Sequence, residues 1–295
     1  MLRHSLPIGI FASACIALAG ATGAQAAIET WVSGNGSDAG TCPITAPCRT
    51  FAFAHGQTSN NGAINVLSSG NFGPLTITKP ISIVADGVEA VINTGAGGAG
   101  IIVQAGGGAV VTLRGLTIDL RGTANDGIFF VSGAALHVQD SIVRRAVIGI
   151  RFAPASGNNE LHVADSIVTD TSSFGIFVNP TEVGNVEAVL NRVRVENAGS
   201  NGINFSRGEI AGSITATVSD SVTAGNVGSG LIAFGGGSGT TNVMADGIAS
   251  VNNGTGLRAV GASTTIRIGD STVTGNTTGL PTATSGSILS MRPTG

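Results

Sequence analysis

The sequence predicts an all-β chain wound as a parallel β-helix, each coil stacked on the one before. Three observations carry this. A glycine followed by Ile or Leu and an alternating apolar segment returns every 22 to 28 residues, as Gly127-Ile128-Phe129-Phe130, Gly149-Ile150-Arg151-Phe152, Gly175-Ile176-Phe177-Val178, Gly202-Ile203-Asn204-Phe205, Gly230-Leu231-Ile232-Ala233 and Gly256-Leu257-Arg258-Ala259. A second phrase lies between these copies, as VQDSIV at 138–143, VADSIV at 163–168, VSDSVT at 218–223 and IGDSTV at 268–273, with weaker forms LNRVRV at 190–195 and MADGIAS at 244–250. The composition, with 46 Gly, no Tyr and 11% charged residues, disfavours helices, since Gly and β-branched residues form them poorly. Two short strands per repeat bury no face alone, whereas stacked copies do.

The chain opens with Met1-Leu2-Arg3-His4, an apolar run from Ile8 to Ala19 and the small-residue pattern Ala24-Gln25-Ala26. This reads as a secretory signal peptide over 1–26, cleaved after Ala26 and leaving no transmembrane segment in the mature chain. The run is shorter than the ~20 residues of a membrane span. A cap is expected over 27–62. It contains a short strand at 28–32, a turn-rich loop and a helical turn from Thr50 to His55 with Thr50 as N-cap and Phe51 and Ala54 on one face. In an exported chain the close pair Cys42 and Cys48 most simply forms a disulfide, because two thiols with no nearby His or third Cys make a poor metal site. From 63 to 295 the strands become regular, beginning with rungs at 64–67, 75–77, 81–84 and 91–92 and ending in a tail or partial coil near Ile288. Stacking at ~4.8 Å gives about eight to nine coils. In the strand after each glycine the first and third residues face inward, which stacks Phe130 on Phe152 with Phe205 two coils further on.

The head, Trp31-Val32-Ser33-Gly34 through Cys42 and Ala46-Pro47-Cys48-Arg49-Thr50-Phe51, followed by glycine-led coils, resembles a group of secreted bacterial repeat proteins within the pectate-lyase-like superfamily. The resemblance covers nearly all of the mature chain. It implies a single-stranded right-handed parallel β-helix, in keeping with the general preference for right-handed parallel crossovers. It carries over no catalytic residues.

Several constellations are candidates for chemistry. Asp140, Asp165, Asp220, Asp246 and Asp270 recur once per coil, with Asn191 in the odd place. They could hold calcium, an oxygen-ligand ion, but their regular recurrence fits a turn device better. Asn197, Asn226, Asn252 and Asn276 form a second polar column that reads as a stacked ladder. His137 and His162 each lie three residues before an Asp and fall on neighbouring rungs with the same facing. They could suit a metal pair or a general base, yet no third ligand is evident at the next rung, where Ala188 stands. Arg144, Arg145 and Arg151, within a coil of Asp126 and Asp165, form a candidate anion or β-elimination site, against a plain reading as surface charge. Familiar glycosidase signals are missing: there is no Asp-Asp pair, no Gly-His-Gly, no Arg-x-Lys and no Tyr. Sugar-stacking aromatics are scarce, because most Phe read as inward-facing.

A net charge of −3 with no basic stripe excludes a nucleic-acid partner. The expected function is an exported, secreted or periplasmic, non-catalytic scaffold or surface-binding protein whose partner is a polysaccharide or cell-surface component. No cofactor is expected, calcium being the alternative. The rival function is a carbohydrate-active lyase, hydrolase or epimerase acting on an acidic polysaccharide. The fold supports both. An enzyme would show non-repeating polar residues converging at one coil, and here the polar columns repeat.

Overall fold

The computed structural model describes residues 26–291, apart from 95–96, 123–124 and 210. Of the expected signal peptide at 1–26, residues 1–25 lie outside the described residues. The chain is an all-β parallel solenoid of about eight turns. Its strands form three parallel sheets, one of 11 strands and two of nine. Three strands per coil, rather than the two read from the repeat, follow from a corner inside the aspartate phrase. The segment VQDSIV ends one strand at Gln139, turns at Asp140-Ser141 and begins the next at Ile142.

That corner has one required backbone state. Asp140, Asp165, Arg192, Asp220 and Asp270 have φ of 47°, 51°, 52°, 49° and 26°, and Gly115 and Gly247 complete the column at 72° and 62°. The left-handed region favours Gly, Asn and Asp. Two members of the expected column therefore shift by one residue. Arg192, not Asn191, and Gly247, not Asp246, occupy the corner, while Asn191 and Asp246 are the last residues of the preceding strands. The next residue points inward and is often Ser. Ser141 accepts the N–H of Leu116 at 3.2 Å, its hydroxyl donates to the Gln139 carbonyl at 2.7 Å, and its own N–H donates to Ser166 Oγ at 3.1 Å. Each such Ser satisfies backbone groups of two coils at a place where strand pairing is interrupted.

Named in chain order within a coil, the first sheet holds Ala135–Gln139, the second Ile142–Arg144 and the third Ile148–Phe152, and a second corner follows the second sheet. Arg145, Asp170, Asn197 and Asn252 have φ between 55° and 57°, with Gly225 and Gly275 at 65° and 68°. The expected Asn column mixes this position with the one after it. Asn197 and Asn252 are left-handed corner residues facing outward. The inward ladder is Asn226–Asn253–Asn276. Asn226 Oδ1 accepts the Ala198 N–H at 2.9 Å, Asn253 Oδ1 accepts the Asn226 N–H at 3.0 Å, and Asn276 Oδ1 accepts the Asn253 N–H at 2.8 Å. The amide of Asn253 also donates to the Asn276 side chain at 3.0 Å. A one-residue slip in register exchanges an outward for an inward side chain, which is why two adjacent columns merge when read by spacing alone.

The core is a stack of aligned inward positions. Ile128, Phe130, Ile150, Phe152, Ile176, Val178, Ile203 and Phe205 are all fully buried. Phe130 and Phe152 pair directly, with ring centroids 4.3 Å apart and planes 18° from parallel. Toward the carboxyl end the third-sheet column shrinks to Ala233 and Ala259, and the second-sheet column changes from Val143, Val168 and Val195 to Thr223 and Ser250. The glycine that leads each third-sheet strand has a steric cause. A Cβ on Gly149 would overlap the Val168 side chain and lie 2.6 Å from the Gly175 carbonyl oxygen, a group held by rung pairing.

The amino-terminal end is closed by β1 (Ala27–Val32), the helix α1 (Phe51–Gln57) and the first long strand β2 (Thr58–Val66), on which β1 pairs in parallel. Thr50 caps α1 by accepting the Phe53 N–H at 3.2 Å, and Phe51 and Ala54 are buried against the core. Cys42 and Cys48 are disulfide-bonded and buried. Their loop is held to β1 by Trp31 N–H to the Cys42 carbonyl and Cys48 N–H to the Trp31 carbonyl, both at 2.8 Å. At the other end, Thr282–Ala283 and Ser287–Ser290 add strands of a partial coil.

Gly149→Ala is expected to lower stability by about 1–3 kcal/mol through overpacking. Gly107→Ala, where nothing lies within 4 Å of the added Cβ, is expected to be near neutral. Denaturant melts of both variants check the contrast.

His55 in α1 accepts the Thr78 N–H at 3.3 Å through Nε2, which requires a neutral ring. Burial, aided by the charge of Lys79, pushes its pKa down to about 4. The unfolded chain takes up this proton near 6.5, so between about 6.5 and 4 the unfolded state binds more protons. Stability contributed by the neutral ring is therefore present at neutral pH and falls as pH drops through that window. The melting temperature is expected to decline from neutral pH to mildly acidic pH, and less steeply in His55→Gln.

Candidate functional site

The predicted site residues occupy separate faces. Arg144 and Arg145 both grip Asp119, Arg144 Nε at 2.9 Å and Arg145 Nε at 2.7 Å. Asp119 faces outward from the second sheet, but the two guanidinium groups cover it to 5% exposure. Burial alone would raise its pKa. The Arg145 hydrogen bond, the Arg121 backbone N–H and the two arginine charges outweigh burial and hold the carboxyl below its ordinary value. Asp165 lies at a corner and pairs with Arg192, with Nε–Oδ1 2.5 Å and Nη2–Oδ2 2.8 Å. Arg151 and Asp126 belong to the third sheet. The five residues of the expected anion site thus do not converge. Neighbours in sequence are dispersed because a corner falls between Arg145 and Arg151.

The third sheet presents the arrangement best suited to a ligand. Its outward row runs Phe129, Arg151, Phe177 and Asn204 on successive rungs. The guanidinium carbon of Arg151 lies 4.8 Å from the Phe129 ring centroid. On the far side, Phe177 packs on Phe174 with centroids 4.6 Å apart. Asp126 sits beside this row, its Oδ2 3.8 Å from Arg151 Nη1. Burial pushes the Asp126 carboxyl above its ordinary value, and the Arg151 charge only partly opposes the shift. Arg151 Nε and Asn204 Oδ1 are buried and have no hydrogen-bond partner. Together these groups offer aromatic rings, a partly exposed cation and a carboxyl whose pKa burial raises. The sequence reading missed Phe129, Phe174, Phe177 and Asn204. Strand alternation placed Phe130 and Phe152 inward correctly, and the same alternation puts Phe129 and Phe177 on the outer face.

The first sheet carries a different group on its outer face. His137 and His162 are directly paired across neighbouring rungs, with ring centroids 4.9 Å apart and planes at 80°. The position after His162 is Val189 rather than Ala188, which pairs with Leu161. The third donor lies on the strand of His162 itself. Glu160 Oε2 is 3.6 Å from His162 Nε2, and the donor atoms of His137, Glu160 and His162 all lie within 4.8 Å of one another. The sequence signal was Glu-x-His, since residues two apart in a strand share a face. Burial first, then the charge of His162, lowers the His137 pKa against an opposing effect of Glu160. Beside this group a groove of about 420 Å³ runs across three rungs, lined by Asn158, Asn185, Ser213 and the two glutamates Glu160 and Glu187.

The two buried acids differ in sign, and a substitution separates them. Asp119→Asn removes a carboxylate held ionised by two arginines and is expected to lower the melting temperature at neutral pH by several degrees. Asp126→Asn replaces a carboxyl whose ionised form is disfavoured, and stability at neutral pH is expected to hold or rise slightly. Thermal melts at neutral pH, followed by circular dichroism, check both.

No helix among the described residues is long and apolar enough to cross a membrane. No protein-family model matches the chain, and no curated protein does. Among solved structures, the mannuronan C-5 epimerase AlgE4 A-module of Azotobacter vinelandii superposes with a TM-score of 0.51 at 18% identity, over 71% of this chain and 68% of that one. The AlgE6 A-module of the same organism gives a TM-score of 0.38 at 13% identity, over 79% of this chain and 91% of that one. The first likeness extends over most coils and is a likeness of fold: this chain is an all-β parallel β-helix.

Proposed function

We propose that the protein is an exported, non-catalytic β-helix that binds an acidic polysaccharide along the outer face of its third sheet. The observation that supports this reading is the row Phe129–Arg151–Phe177–Asn204 with Asp126 beside it. Aromatic faces stack on the apolar faces of sugar rings. A guanidinium matches a carboxylate in shape and charge, and the Arg151 side chain is 34% exposed, which leaves part of it open to a ligand. Rungs stack at ~4.8 Å, so a chain laid along the helix axis meets Phe129, Arg151, Phe177 and Asn204 in turn. The amino-terminal leader, the bonded Cys42–Cys48 pair and the likeness of the head to a secreted group support export. A polysaccharide partner is in keeping with the structural neighbour, a mannuronan C-5 epimerase module. A non-catalytic role is favoured because Arg144, Arg145 and Asp165 are committed to ion pairs away from the row.

Calorimetric titration of polyuronate oligosaccharides into the protein, with neutral oligosaccharides of equal length alongside, tests the reading. Polyuronates are expected to bind. Arg151→Ala and Phe177→Ala are each expected to weaken binding roughly tenfold, the loss of a charge-assisted contact or a stacking face. Arg267→Ala on the first sheet is expected to leave it unchanged. Unaltered binding in both third-sheet variants would remove the site. Unsaturated, ultraviolet-absorbing products, or a change in uronate stereochemistry seen by NMR, would replace the binding reading with a catalytic one.

A further inference from the structure

We propose that His137, Glu160 and His162 form a binding site for a divalent transition-metal ion of the zinc type on the outer face of the first sheet. The site is independent of the polysaccharide row, which lies on the third sheet. All three donors sit on strands. His137 stands between Thr112 and His162 in the rung column, and His162 between His137 and Val189, so both Cα positions are fixed by parallel pairing on either side. Glu160 is two residues before His162 on the same face. No loop has to close to bring the donors together.

The distances suit an ion. A tetrahedral centre with bonds of about 2.0–2.2 Å places its donor atoms about 3.3–3.6 Å from one another. Glu160 Oε2 and His162 Nε2 are already 3.6 Å apart, and the widest separation in the set is within 4.8 Å. Rotation of the exposed side chains closes that gap without moving backbone. The side chains of His162 and Glu160 are 40% and 56% exposed, which leaves the way in open.

The donor set decides the class of ion. Two imidazoles and one carboxylate suit zinc, copper or nickel. Calcium takes six to eight oxygens and gains little from imidazole. Three protein donors leave a fourth position free, and Glu160 also lines the groove of about 420 Å³ with Asn158, Asn185 and Ser213. A water or a ligand oxygen held in that groove would complete the coordination.

The test uses the full chain without an affinity tag, stripped with chelator. Zinc is titrated in competition with a chromophoric chelator, and cobalt is added separately to read its visible absorption. A single zinc ion per chain is expected to bind, with a cobalt spectrum of low coordination number. His162→Ala and Glu160→Gln are expected to weaken zinc by roughly tenfold or more, while Glu196→Gln on the second sheet leaves it unchanged. Circular dichroism melts of the variants confirm that these exposed positions keep the fold. Zinc binding that survives in a His137→Ala/His162→Ala double variant would overturn the proposal, as would calcium competing on equal terms, or no zinc binding at all. Polyuronate binding by chelator-treated protein is expected to persist, so the two sites fail or stand separately.

Discussion

Every strand of the solenoid finds its hydrogen-bonding partner one coil away, and the rest of the structure answers to that constraint. A rung pairs in register only if each coil returns to the same place, so the corners must repeat more strictly than the strands. The left-handed residues at Asp140, Asp165, Arg192 and Asp220 turn the chain within a single position. The Ser and Asn ladders then bond the backbone groups that a corner would leave unpaired. The leading glycines follow from the same demand, because the Gly175 carbonyl oxygen stands where a side chain on Gly149 would go.

With backbone and interior committed to stacking, chemistry is left to the outward faces, and these differ. The second sheet spends its charges internally, in the Asp119 cluster. The third sheet exposes aromatic rings with one cation and a carboxyl whose pKa burial raises. The first sheet is polar and brings two imidazoles to one carboxylate. Parallel pairing makes each face a set of columns, so a group repeated at the same position on successive coils becomes a direct neighbour, as His137 and His162 are.

Much of the fold was legible because its period is in the sequence. The inward Phe130 and Phe152, the Thr50 cap and the Cys42–Cys48 pair can all be read from alternation, capping chemistry and isolation. The third strand of each coil was hidden inside the aspartate phrase, because a one-residue corner leaves no turn-rich gap. Columns read by counting slipped by one, so Asn191 stood in for Arg192 and Asn252 for Asn253. The candidate sites were less legible for a related reason. Proximity in sequence joined Arg145 to Arg151, which a corner separates, whereas Glu160 joins His137 only through a pairing across coils. Whether a Phe faces in or out depends on parity, and Phe129 and Phe177 differ from their buried neighbours by one position.

The change in the interior along the rod has a dynamic consequence. In the middle coils the stack is apolar and includes the paired rings of Phe130 and Phe152. Beyond about residue 220 Thr223, Ser250, Ala233, Ala259 and the Asn226–Asn253–Asn276 ladder join an interior that keeps Leu231, Val243, Leu257 and Ile266. Apolar area is what chiefly holds coil to coil, while buried amides hold register and orientation. Amide protons in the carboxyl-terminal coils should therefore exchange through openings of lower free energy than those around Phe152. Such an opening would be ordered, since a coil that loses one Asn from the ladder strands an N–H in the coil before it. The carboxyl-terminal coils are thus expected to open before the middle of the rod.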